Sequence, residues 1–442
     1  MPVSAHRSQV ERQPMHRISR VGSMMHMSGA TGSLMSRFTL LGVLMVLLPS
    51  SAEAVTQEIS AVFKPDPANP QVNEFKNRTP PSGFCLDNPR QCQEKNLFSL
   101  RLPIQSYSNA TIQGGHSNER QGAMFNIPSQ WETITVTHPT APPQVVKFRV
   151  AGMGVAYKLP LPAPVLTNGA GHNYLFAGGI WSYAGPPCTG LAGAGNDIGF
   201  NSFWRHPIDA GICAKRAMFD IPQPFKYETF DFTYELITPN PLEMVSGQYT
   251  GQHVFRVGPN QDFDLGDVMV PNDDVIVLDF RLDVEHELKV DIPPGGEKIQ
   301  LLPAGGWQSW LAAGRRPVTL SRDQTFNISA SSHFKMQLRC GVSMDEGAQC
   351  AINSPAENRR APVFVSVSLP AGLTDLSGQP VRRQRLRPGP ENALQFKPGF
   401  YVDRAPGTLH FEIPPNYVEY MLRPGVASRY SSPVFVIWDS EI

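Results

Sequence analysis

The sequence predicts an all-β protein, and three observations support this prediction. Apolar and polar residues alternate in short segments separated by turn residues, as expected for strands with one buried face. Long apolar patterns with the 3.6-residue period of a helix are missing from the sequence. Proline (42 residues) and glycine (37 residues) are abundant, which favours a fold with many turns and few long helices.

The longest alternating segment comprises residues 275–292 (VIVLDFRLDVEHELKVDI). Its even-numbered positions are apolar except for His286, and its odd-numbered positions from Asp279 onward are all charged. At about 3.3 Å per residue, a straight strand of this length would extend roughly 50–60 Å, more than one small sandwich usually spans. The strand must bend and change sheets, or lead from one β-domain into the next. Residues 293–296 (PPGG) interrupt strands, so we predict that the first domain ends there.

The length and the charge of the chain limit the classes of protein to consider. A chain of 442 residues suggests two domains after a leader, at residues 55–296 and 297–442. Lysine and arginine (38 residues) balance aspartate and glutamate (38 residues), so the formal net charge is zero. This balance does not favour nucleic acid as a partner, because nucleic-acid-binding surfaces are strongly basic.

An export signal is predicted within residues 1–54. Residues 38–49 (FTLLGVLMVLLP) form an apolar run that follows an arginine and precedes a small-x-small cleavage motif at residues 52–54 (AEA). The run is too short to cross a bilayer core of about 30 Å as a stable helix, which favours a cleaved signal peptide over a membrane anchor. The residues before Met35 are unusual ahead of a signal peptide, so we expect translation to start at Met35 and not at Met1.

All six cysteines follow the predicted cleavage site, and an even number of cysteines in an exported chain predicts disulfides. Six cysteines allow 15 pairings, and nearest-neighbour pairing is favoured because each close pair would staple a hairpin or a loop. No CxxC or cysteine–histidine spacing suggests zinc, so no metal is expected. The three close pairs are Cys85 and Cys92, Cys188 and Cys213, and Cys340 and Cys350.

The loop between Cys188 and Cys213 is a candidate binding surface. It contains two phenylalanines followed by Trp204, Arg205 and His206. Aromatic residues beside a basic residue in a disulfide-bounded loop are typical of a recognition surface. The alternative interpretation is that these rings close the open end of a β-sandwich.

Acidic residues are concentrated in a turn at residues 258–274. A calcium loop needs oxygen ligands at this density, but the ligand order of an EF-hand and its closing glutamate are missing. A solvated turn is therefore favoured over a metal site, whereas two carboxylates converging in a cleft would indicate an enzyme. The aspartates of this turn are Asp262, Asp264, Asp267, Asp273 and Asp274.

No catalytic motif is evident, so we expect a non-enzymatic protein without a cofactor. The GxSxG, HExxH and P-loop motifs are missing, and cysteines held in disulfides offer no thiolate. His286 lies on the apolar face of the long segment and is interpreted as a hydrogen-bonded, half-buried side chain. Trp307 and Trp310, which follow a Gly-Gly turn, either form a sugar-stacking platform or pack at the domain junction, and packing is favoured.

The C-terminal half is predicted to lack one strand. The motif FDIP at residues 219–222 precedes a turn and a strand that leads on to the long segment, whereas the similar FEIP at residues 411–414 precedes a final strand at residues 433–438. The second half therefore has no counterpart of the last strand of the first half. A sandwich missing a strand exposes a hydrophobic groove and unpaired backbone groups, which another chain must cover.

Together these features resemble the minor, tip-located subunits of alternate chaperone/usher fimbriae. This family includes the class 5 colonisation-factor tip adhesins and the CblD-like pilus initiators. The resemblance rests on the order of motifs: an early disulfide loop at residues 84–92, a second cysteine pair, FDIP at residues 219–222, the long strand, and the closing RYSSPVFVI at residues 429–437. The pair Cys340 and Cys350 departs from the family pattern.

The resemblance implies two immunoglobulin-like β-sandwiches in tandem. The outer, N-terminal domain of these adhesins binds a surface receptor, which often bears a glycan, and basic residues contribute to that site. The nearest basic residues in this sequence are Lys215 and Arg216, just beyond the second cysteine of the pair, with Arg205 in the loop. These three residues and Trp204 are therefore the candidates for receptor binding.

The resemblance also implies how the inner, C-terminal domain is completed. This domain would be an incomplete pilin-type sandwich that accepts a donor strand from a periplasmic chaperone and then, at the outer-membrane usher, from the adjacent pilin. We expect the donor strand beside the last strand of the chain, along Val434, Val436 and Trp438. The protein would be exported through the periplasm to the tip of a fimbrium. The alternatives are a non-adhesive pilus subunit or initiator, and a secreted β-sandwich enzyme or carbohydrate-binding protein.

Overall fold

Strands form most of the regular structure, which confirms the prediction of an all-β fold. The computed structural model describes residues 2–4, 54–314, 316–354, 357–423 and 428–440. The predicted signal peptide lies almost entirely outside these residues, so its assignment stays a prediction. No helix of the described residues is both long and apolar enough to cross a membrane.

The strands of the N-terminal half lie at Val55–Phe63, Lys76–Asn77, Phe98–Leu102, Ser106–Ser108, Ala123–Phe125, Glu132–Val136, Gln144–Lys158, Thr189–Asn196, Gly199–Arg205, Cys213–Lys215, Lys226–Tyr227, Phe230–Ile237, Gly247–Arg256, Met269–Pro271 and Val275–Val284. Those of the C-terminal half lie at Leu288–Asp291, Lys298–Gln300, Leu320–Ala330, Phe334–Cys340, Ser343–Met344, Gln349–Ser354, Arg359–Pro362, Phe364–Ser368, Leu373–Asp375, Gln384–Leu386, Leu394–Pro398, Val402–Ile413 and Val434–Asp439. A short strand at Pro2–Ser4 pairs with Lys298–Gln300.

The helices are short. The α-helices lie at Phe84–Asp87, Pro89–Lys95, Ala163–Leu166, His172–Leu175, Gly306–Ala313 and Pro415–Met421. Single 3₁₀ turns lie at Glu119–Gln121, Pro241–Glu243, Asp345–Gly347 and Pro390–Asn392.

A nine-stranded sheet in the N-terminal half is organised around its longest strand, Gln144–Lys158. This strand pairs antiparallel with Glu132–Val136 and Phe230–Ile237 along its first part and with Gly199–Arg205 along its last part. It is buried along most of its length because both of its faces are covered, which explains a nearly continuous apolar sequence in place of alternation.

The glycines of this central strand allow close packing and a bulge. The register with the neighbouring strand shifts between Thr233 and Tyr234, which marks a β-bulge beside these glycines. A Cβ atom on Gly152 or Gly154 would lie 2.5 Å from the ring of Phe203, so only glycine leaves room for that ring.

A four-stranded sheet covers the other side of the N-terminal core. Its strand Val275–Val284 pairs antiparallel with Gly247–Arg256 and parallel with Val55–Phe63. The even-numbered residues of Val275–Val284 are buried, as the alternation predicts. Phe280 on this sheet meets Phe148 of the nine-stranded sheet edge to face, with ring centroids 5.5 Å apart, so one core joins the two sheets.

The C-terminal half has a second core between two further sheets. The five-stranded sheet is ordered Leu288–Asp291, Leu320–Ala330, Val402–Ile413, Phe364–Ser368, Gln384–Leu386. The four-stranded sheet is ordered Leu373–Asp375, Leu394–Pro398, Phe334–Cys340, Val434–Asp439.

The long alternating segment leads from one core to the other. Val275–Val284 belongs to the N-terminal core, whereas Leu288–Asp291 pairs with Leu320–Ala330 in the C-terminal half. The change of sheet therefore occurs at residues 285–287. The predicted hinge at residues 293–296 comes after this change of sheet, because the apolar alternation continues through residues 285–287. The division into two domains itself stays a prediction.

His286 anchors this junction. One of its ring nitrogens, Nε2, lies 2.9 Å from the Met244 carbonyl oxygen, and Nδ1 lies 3.1 Å from the Ser331 hydroxyl. Burial lowers the pKa of His286, which favours the neutral ring. The interpretation of His286 as a hydrogen-bonded, half-buried side chain is confirmed.

The disulfides connect nearest-neighbour cysteines, as the sequence predicts. The three disulfides are Cys85–Cys92, Cys188–Cys213 and Cys340–Cys350.

Two segments that the sequence predicts as loops are helical. Residues 84–92 were expected to form a simple disulfide loop and instead form two short helices, the second of which begins at Pro89. The Gly-Gly turn likewise opens a helix, Gly306–Ala313. Two of its rings, Trp307 and Trp310, meet edge to face, with centroids 5.6 Å apart.

Candidate binding sites

The last strand, Val434–Asp439, lies at one edge of its sheet. It pairs antiparallel with Phe334–Cys340, and no strand of the described ranges lies along its opposite edge. Val434 is buried, whereas Val436 and Trp438 are half-buried. The three residues predicted for the donor-strand edge are thus on an edge strand at the rim of the C-terminal core; whether a donor strand binds there is a proposal.

The first strand of the C-terminal half, Leu288–Asp291, is an edge strand of the opposite sheet. Its neighbour, Leu320–Ala330, carries Phe326, whose ring centroid lies 5.6 Å from that of Trp438 on the last strand. The two edge strands therefore lie on the same side of the sandwich. Half-buried apolar side chains on these two edge strands are Leu288, Val290, Val436 and Trp438.

Trp204 is part of the N-terminal core. Its side chain is fully buried, its indole N–H donates to the Trp181 carbonyl at 2.8 Å, and its ring packs against Phe125 with centroids 4.9 Å apart. A side chain without exposed surface cannot contact a receptor. The prediction for Trp204 is therefore not supported, and the alternative that the rings of this loop fill the end of the sandwich describes its environment.

Lys215 is also buried. Its ammonium donates to the carbonyl oxygens of Ile180 and Tyr183 at 2.9 and 2.6 Å, and burial lowers the pKa of Lys215 to about 8. The lysine thus holds the segment before Cys188 in place. The position of Lys215 just after Cys213 could not reveal this role, because the role depends on carbonyl groups more than 30 residues away in the sequence.

The two other predicted contact residues are more accessible. Arg205 is half-buried and Arg216 is exposed. Arg216 borders a cavity of about 570 Å³, which Glu119, Tyr183 and Lys215 also line, whereas Arg205 does not line it. Only Arg216, of the four candidates, combines an exposed side chain with a position beside this cavity.

A distant arginine pairs with two aspartates of the acidic turn. Arg120 donates from Nη1 to Asp264 at 2.6 Å and from Nε to Asp267 at 2.9 Å. Asp262 and Asp273 accept hydrogen bonds from backbone N–H groups. The interpretation as a solvated turn is wrong for Asp264, which is 2% exposed. No sequence signal connects these residues, since Arg120 and Asp264 are 144 positions apart.

One group of potential metal ligands is present in the described part of the chain. Atoms of Cys188, His206 and Cys213 lie within 4.8 Å of one another. The two sulfur atoms are bonded to each other, so neither is a thiolate that could bind a metal. Burial lowers the pKa of His206 to about 4, and the neutral ring packs beside the disulfide.

Three side chains of the C-terminal half form a Ser–His–Asp series. Ser368 Oγ lies 2.9 Å from His410 Nε2, and His410 Nδ1 lies 2.8 Å from Asp323 Oδ1. A nucleophilic triad has this order, but its aspartate is buried. Asp323 is instead 55% exposed, and its carboxylate lies 3.5 Å from the guanidinium of Arg383. The backbone N–H of Arg383 donates to Ser368 Oγ. The series therefore serves to connect neighbouring strands.

Comparisons with known proteins return distant structural likenesses only. No family model matches the chain, and no curated protein matches it. A chaperone–tip adhesin complex of CFA/I fimbriae is similar over 88% of this chain and 97% of that chain, at 10% identity and a TM-score of 0.24. CfaE, the adhesive subunit of the CFA/I fimbria of enterotoxigenic Escherichia coli, is similar over 88% and 98%, at 9% identity and 0.22.

The Csu pili of Acinetobacter baumannii provide a third likeness. Their CsuC–CsuE chaperone–tip subunit pre-assembly complex is similar over 87% of this chain and 99% of that chain, at 10% identity and a TM-score of 0.22. Superpositions with TM-scores and identities this low carry no argument about function. We therefore base the function of this protein on the residues of its own chain.

Proposed function

We propose that this protein is a non-enzymatic tip or minor subunit of a chaperone–usher fimbria. In this proposal the N-terminal half binds a surface receptor and the C-terminal half accepts a donor strand. The observation that carries the proposal is the position of Val434–Asp439 at the edge of its sheet, on the same side as the edge strand Leu288–Asp291. The predicted export signal, the disulfides and the order of the sequence motifs agree with this role.

A donated strand would complete the β-sandwich of the C-terminal half. An extended segment beside Val434–Asp439 would place alternate apolar side chains over Leu288, Val290 and Trp438. Each apolar Å² removed from water contributes about 25 cal/mol, so the added strand would stabilise the C-terminal half substantially. A periplasmic chaperone would supply this strand first, and the adjacent pilin would replace it at the usher.

Titration with peptides tests the donor-strand proposal. We expect an alternating apolar peptide from the N-terminus of a pilin to raise the melting temperature of the purified chain by several degrees, and a scrambled peptide of the same composition to have no effect. Val436→Lys should abolish the response, whereas Val254→Lys, at an exposed position of another strand, should retain it. Without any shift in a monomeric protein that unfolds cooperatively, the C-terminal half is complete and the proposal fails.

The receptor-binding part of the proposal is placed on the surface around Arg216. This arginine is exposed, is one of the basic residues predicted from the sequence to bind the receptor, and borders a cavity of about 570 Å³. We expect Arg216→Ala to weaken adhesion of the assembled fimbria to its target surface, and Arg90→Ala, which changes an exposed arginine of the disulfide loop, to leave it unchanged. A peptide response without any adhesion would identify a non-adhesive subunit or initiator.

A further inference from the structure

Three histidines line a cavity of about 640 Å³ where the two halves of the chain meet. His138 belongs to the N-terminal half, and His333 comes directly before the C-terminal strand Phe334–Cys340. His286 lies within residues 285–287, where the chain changes sheets. Histidine is the side chain that ordinarily gains or loses its charge near neutral pH. The cavity therefore brings groups that respond to mild acid to the junction.

The hydrogen bonds of His286 fit the neutral ring. The Met244 carbonyl can only accept, so the ring proton lies on Nε2, 2.9 Å away. Ser331 Oγ accepts from the Glu287 backbone N–H at 2.9 Å, and its own hydroxyl proton can then donate to Nδ1, 3.1 Å away. A second ring proton, on Nδ1, would deprive the Ser331 hydroxyl of this acceptor. The junction is therefore built around an uncharged imidazole.

His286 contacts both halves of the chain. Its ring meets the ring of Phe63 edge to face, with centroids 5.5 Å apart, and Phe63 and Met244 both belong to the N-terminal half. Its other partner, Ser331, belongs to the C-terminal half and also donates from its backbone N–H to the Glu287 carbonyl at 3.0 Å. A change in the charge of this one ring would therefore disturb contacts on both sides of the junction.

The charges around His286 make a second ring proton unfavourable. Burial is the main reason that the pKa of His286 lies below its ordinary value of 6.5, and His333 lowers it further. Burial and the neighbouring Lys397 likewise lower the pKa of His333, whereas Glu243 opposes that shift. Protonation of both rings would therefore bring three positive groups together and leave Glu243 to balance them.

The other ionisable groups near the junction have separate partners. Glu285 lies 3.1 Å from Lys64, and Glu287 accepts the Tyr401 hydroxyl at 2.6 Å. His138 accepts at Nδ1 from two backbone N–H groups of its own loop, and its ring packs against a tyrosine of the N-terminal half. We therefore assign the response to acid to His286 and His333.

The direction of the response follows from the lowered pKa values of both rings. In an open junction water would surround the rings, and their pKa values would return towards 6.5, so the open form binds protons more tightly than the closed form. The closed junction is therefore favoured above that pH. As the pH falls through 6.5 towards the lower values of the closed form, protons accumulate on the open form and shift the equilibrium towards it.

We propose that residues 285–287 form an acid-sensitive hinge, in which protonation of His286 and His333 releases the contacts between the two halves of the chain. The halves would be held together at about pH 7 and would separate more readily at about pH 5. This inference concerns the junction itself and does not depend on the fimbrial role proposed above.

Amide hydrogen exchange followed by mass spectrometry tests the hinge on the full chain at about pH 7 and about pH 5, with rates corrected for the intrinsic effect of pH on exchange. We expect the protection of the Glu287 and Ser331 backbone N–H groups to fall by about tenfold or more at the lower pH, the factor that one pKa unit represents. The amides of Val275–Val284 should keep their protection, because this strand lies within the N-terminal core.

Glutamine variants assign the response to the two histidines, because glutamine is neutral at both pH values. His286→Gln and His333→Gln should each reduce the loss of protection, and the double variant should abolish it. His253→Gln is the matched control, since His253 is also half-buried but lies on the strand Gly247–Arg256, outside the cavity. This control should open like the wild type.

Glu243→Gln tests the same hinge without altering a histidine. Glu243 is exposed, so its replacement should leave the fold intact even if a histidine variant does not fold. Without this carboxylate the pKa of His333 in the closed form falls further, and we expect the hinge to open at a higher pH than in the wild type.

The contrary results would overturn the proposal. These are unchanged protection of the hinge amides between the two pH values, an equal loss of protection in Val275–Val284, a full response in the double glutamine variant, or an opening pH in Glu243→Gln that is unchanged or lower. The donor-peptide response at neutral pH reports separately on the fimbrial role, so failure of the hinge is distinguishable from failure of the proposed function.

Discussion

The hydroxyl of Tyr401 donates a hydrogen bond of 2.6 Å to Oε2 of Glu287, and this bond joins the C-terminal half to the segment where the chain changes sheets. Tyr401 is buried, and its backbone N–H also donates to the side-chain oxygen of Asn73 at 3.2 Å. Burial, with the neighbouring Glu287 carboxylate, raises the pKa of Tyr401, so the hydroxyl keeps its proton. The junction thus depends on contacts between residues far apart in the sequence.

Tyr401→Phe should therefore lower the free energy of unfolding by about 1.5 kcal/mol, the lower end of the range for hydrogen bonds to charged groups, because Glu287 is only half-buried. Urea unfolding measures this loss. The matched control is Tyr174→Phe, since the Tyr174 side chain is exposed and should contribute almost nothing. Equal stability of the two variants would show that the bond does not stabilise the junction.

Arg120→Met should destabilise the protein by about 3–5 kcal/mol, because it leaves the buried Asp264 carboxylate without its partner. Arg90→Met is the control: Arg90 is 89% exposed and 3.9 Å from Glu94, so its loss should cost less than about 0.5 kcal/mol.

We also expect that neither calcium nor chelators change the melting temperature of the protein. A calcium-dependent melting temperature would instead support a metal site in the acidic turn.

Lys215 should make stability depend on pH in an identifiable window. Its pKa is about 8 in the folded protein and near 10.5 when unfolded, so the folded state releases the proton first. Raising the pH from about 8 towards 10.5 removes an unfavourable buried charge from the folded protein. The contribution of Lys215 to the free energy of unfolding therefore rises through that window. The unfolding free energy of wild type minus that of Lys215→Met should therefore increase between pH 7.5 and 9.5. A constant difference would contradict the shifted pKa.

A fluorophosphonate probe should not label Ser368, since the exposed Asp323 orients His410 too weakly for a nucleophilic triad. Ser368→Ala should lower the unfolding free energy by about 1 kcal/mol through the lost hydrogen bond to His410. Ser366→Ala, on the same strand, is the control for labelling and stability. Labelling that disappears only in Ser368→Ala would identify an enzyme and remove the non-enzymatic interpretation.

Local patterns in the sequence were sufficient for several parts of the fold. The alternation in Val275–Val284 places every even-numbered side chain in the core, and the spacing of the cysteines indicates the pairing that is found. The same alternation did not reveal the change of sheet, because it continues across residues 285–287. Alternation reports which face of a strand is buried and contains no information about which sheet buries it.

The candidate sites were less predictable. Trp204 and Lys215 are the types of residue that bind receptors, yet both are buried in this fold. A cavity of about 420 Å³, lined by Asn88, Arg101 and Asn201, was predicted only in part. The loop between Cys188 and Cys213 was a candidate surface, whereas the other walls come from separate segments that meet only after the sheet has formed.

The sequence by itself determined the all-β class and favoured the disulfide pairing that is found, because these follow from alternation and from cysteine spacing within short segments. Only the tertiary structure decided which polar groups are exposed and which neutralise each other, as in the pairs of Arg120 with Asp264 and Arg101 with Asp231. The physical reason is that charge pairing and burial depend on distance in space, and these partners are more than 100 residues apart along the chain.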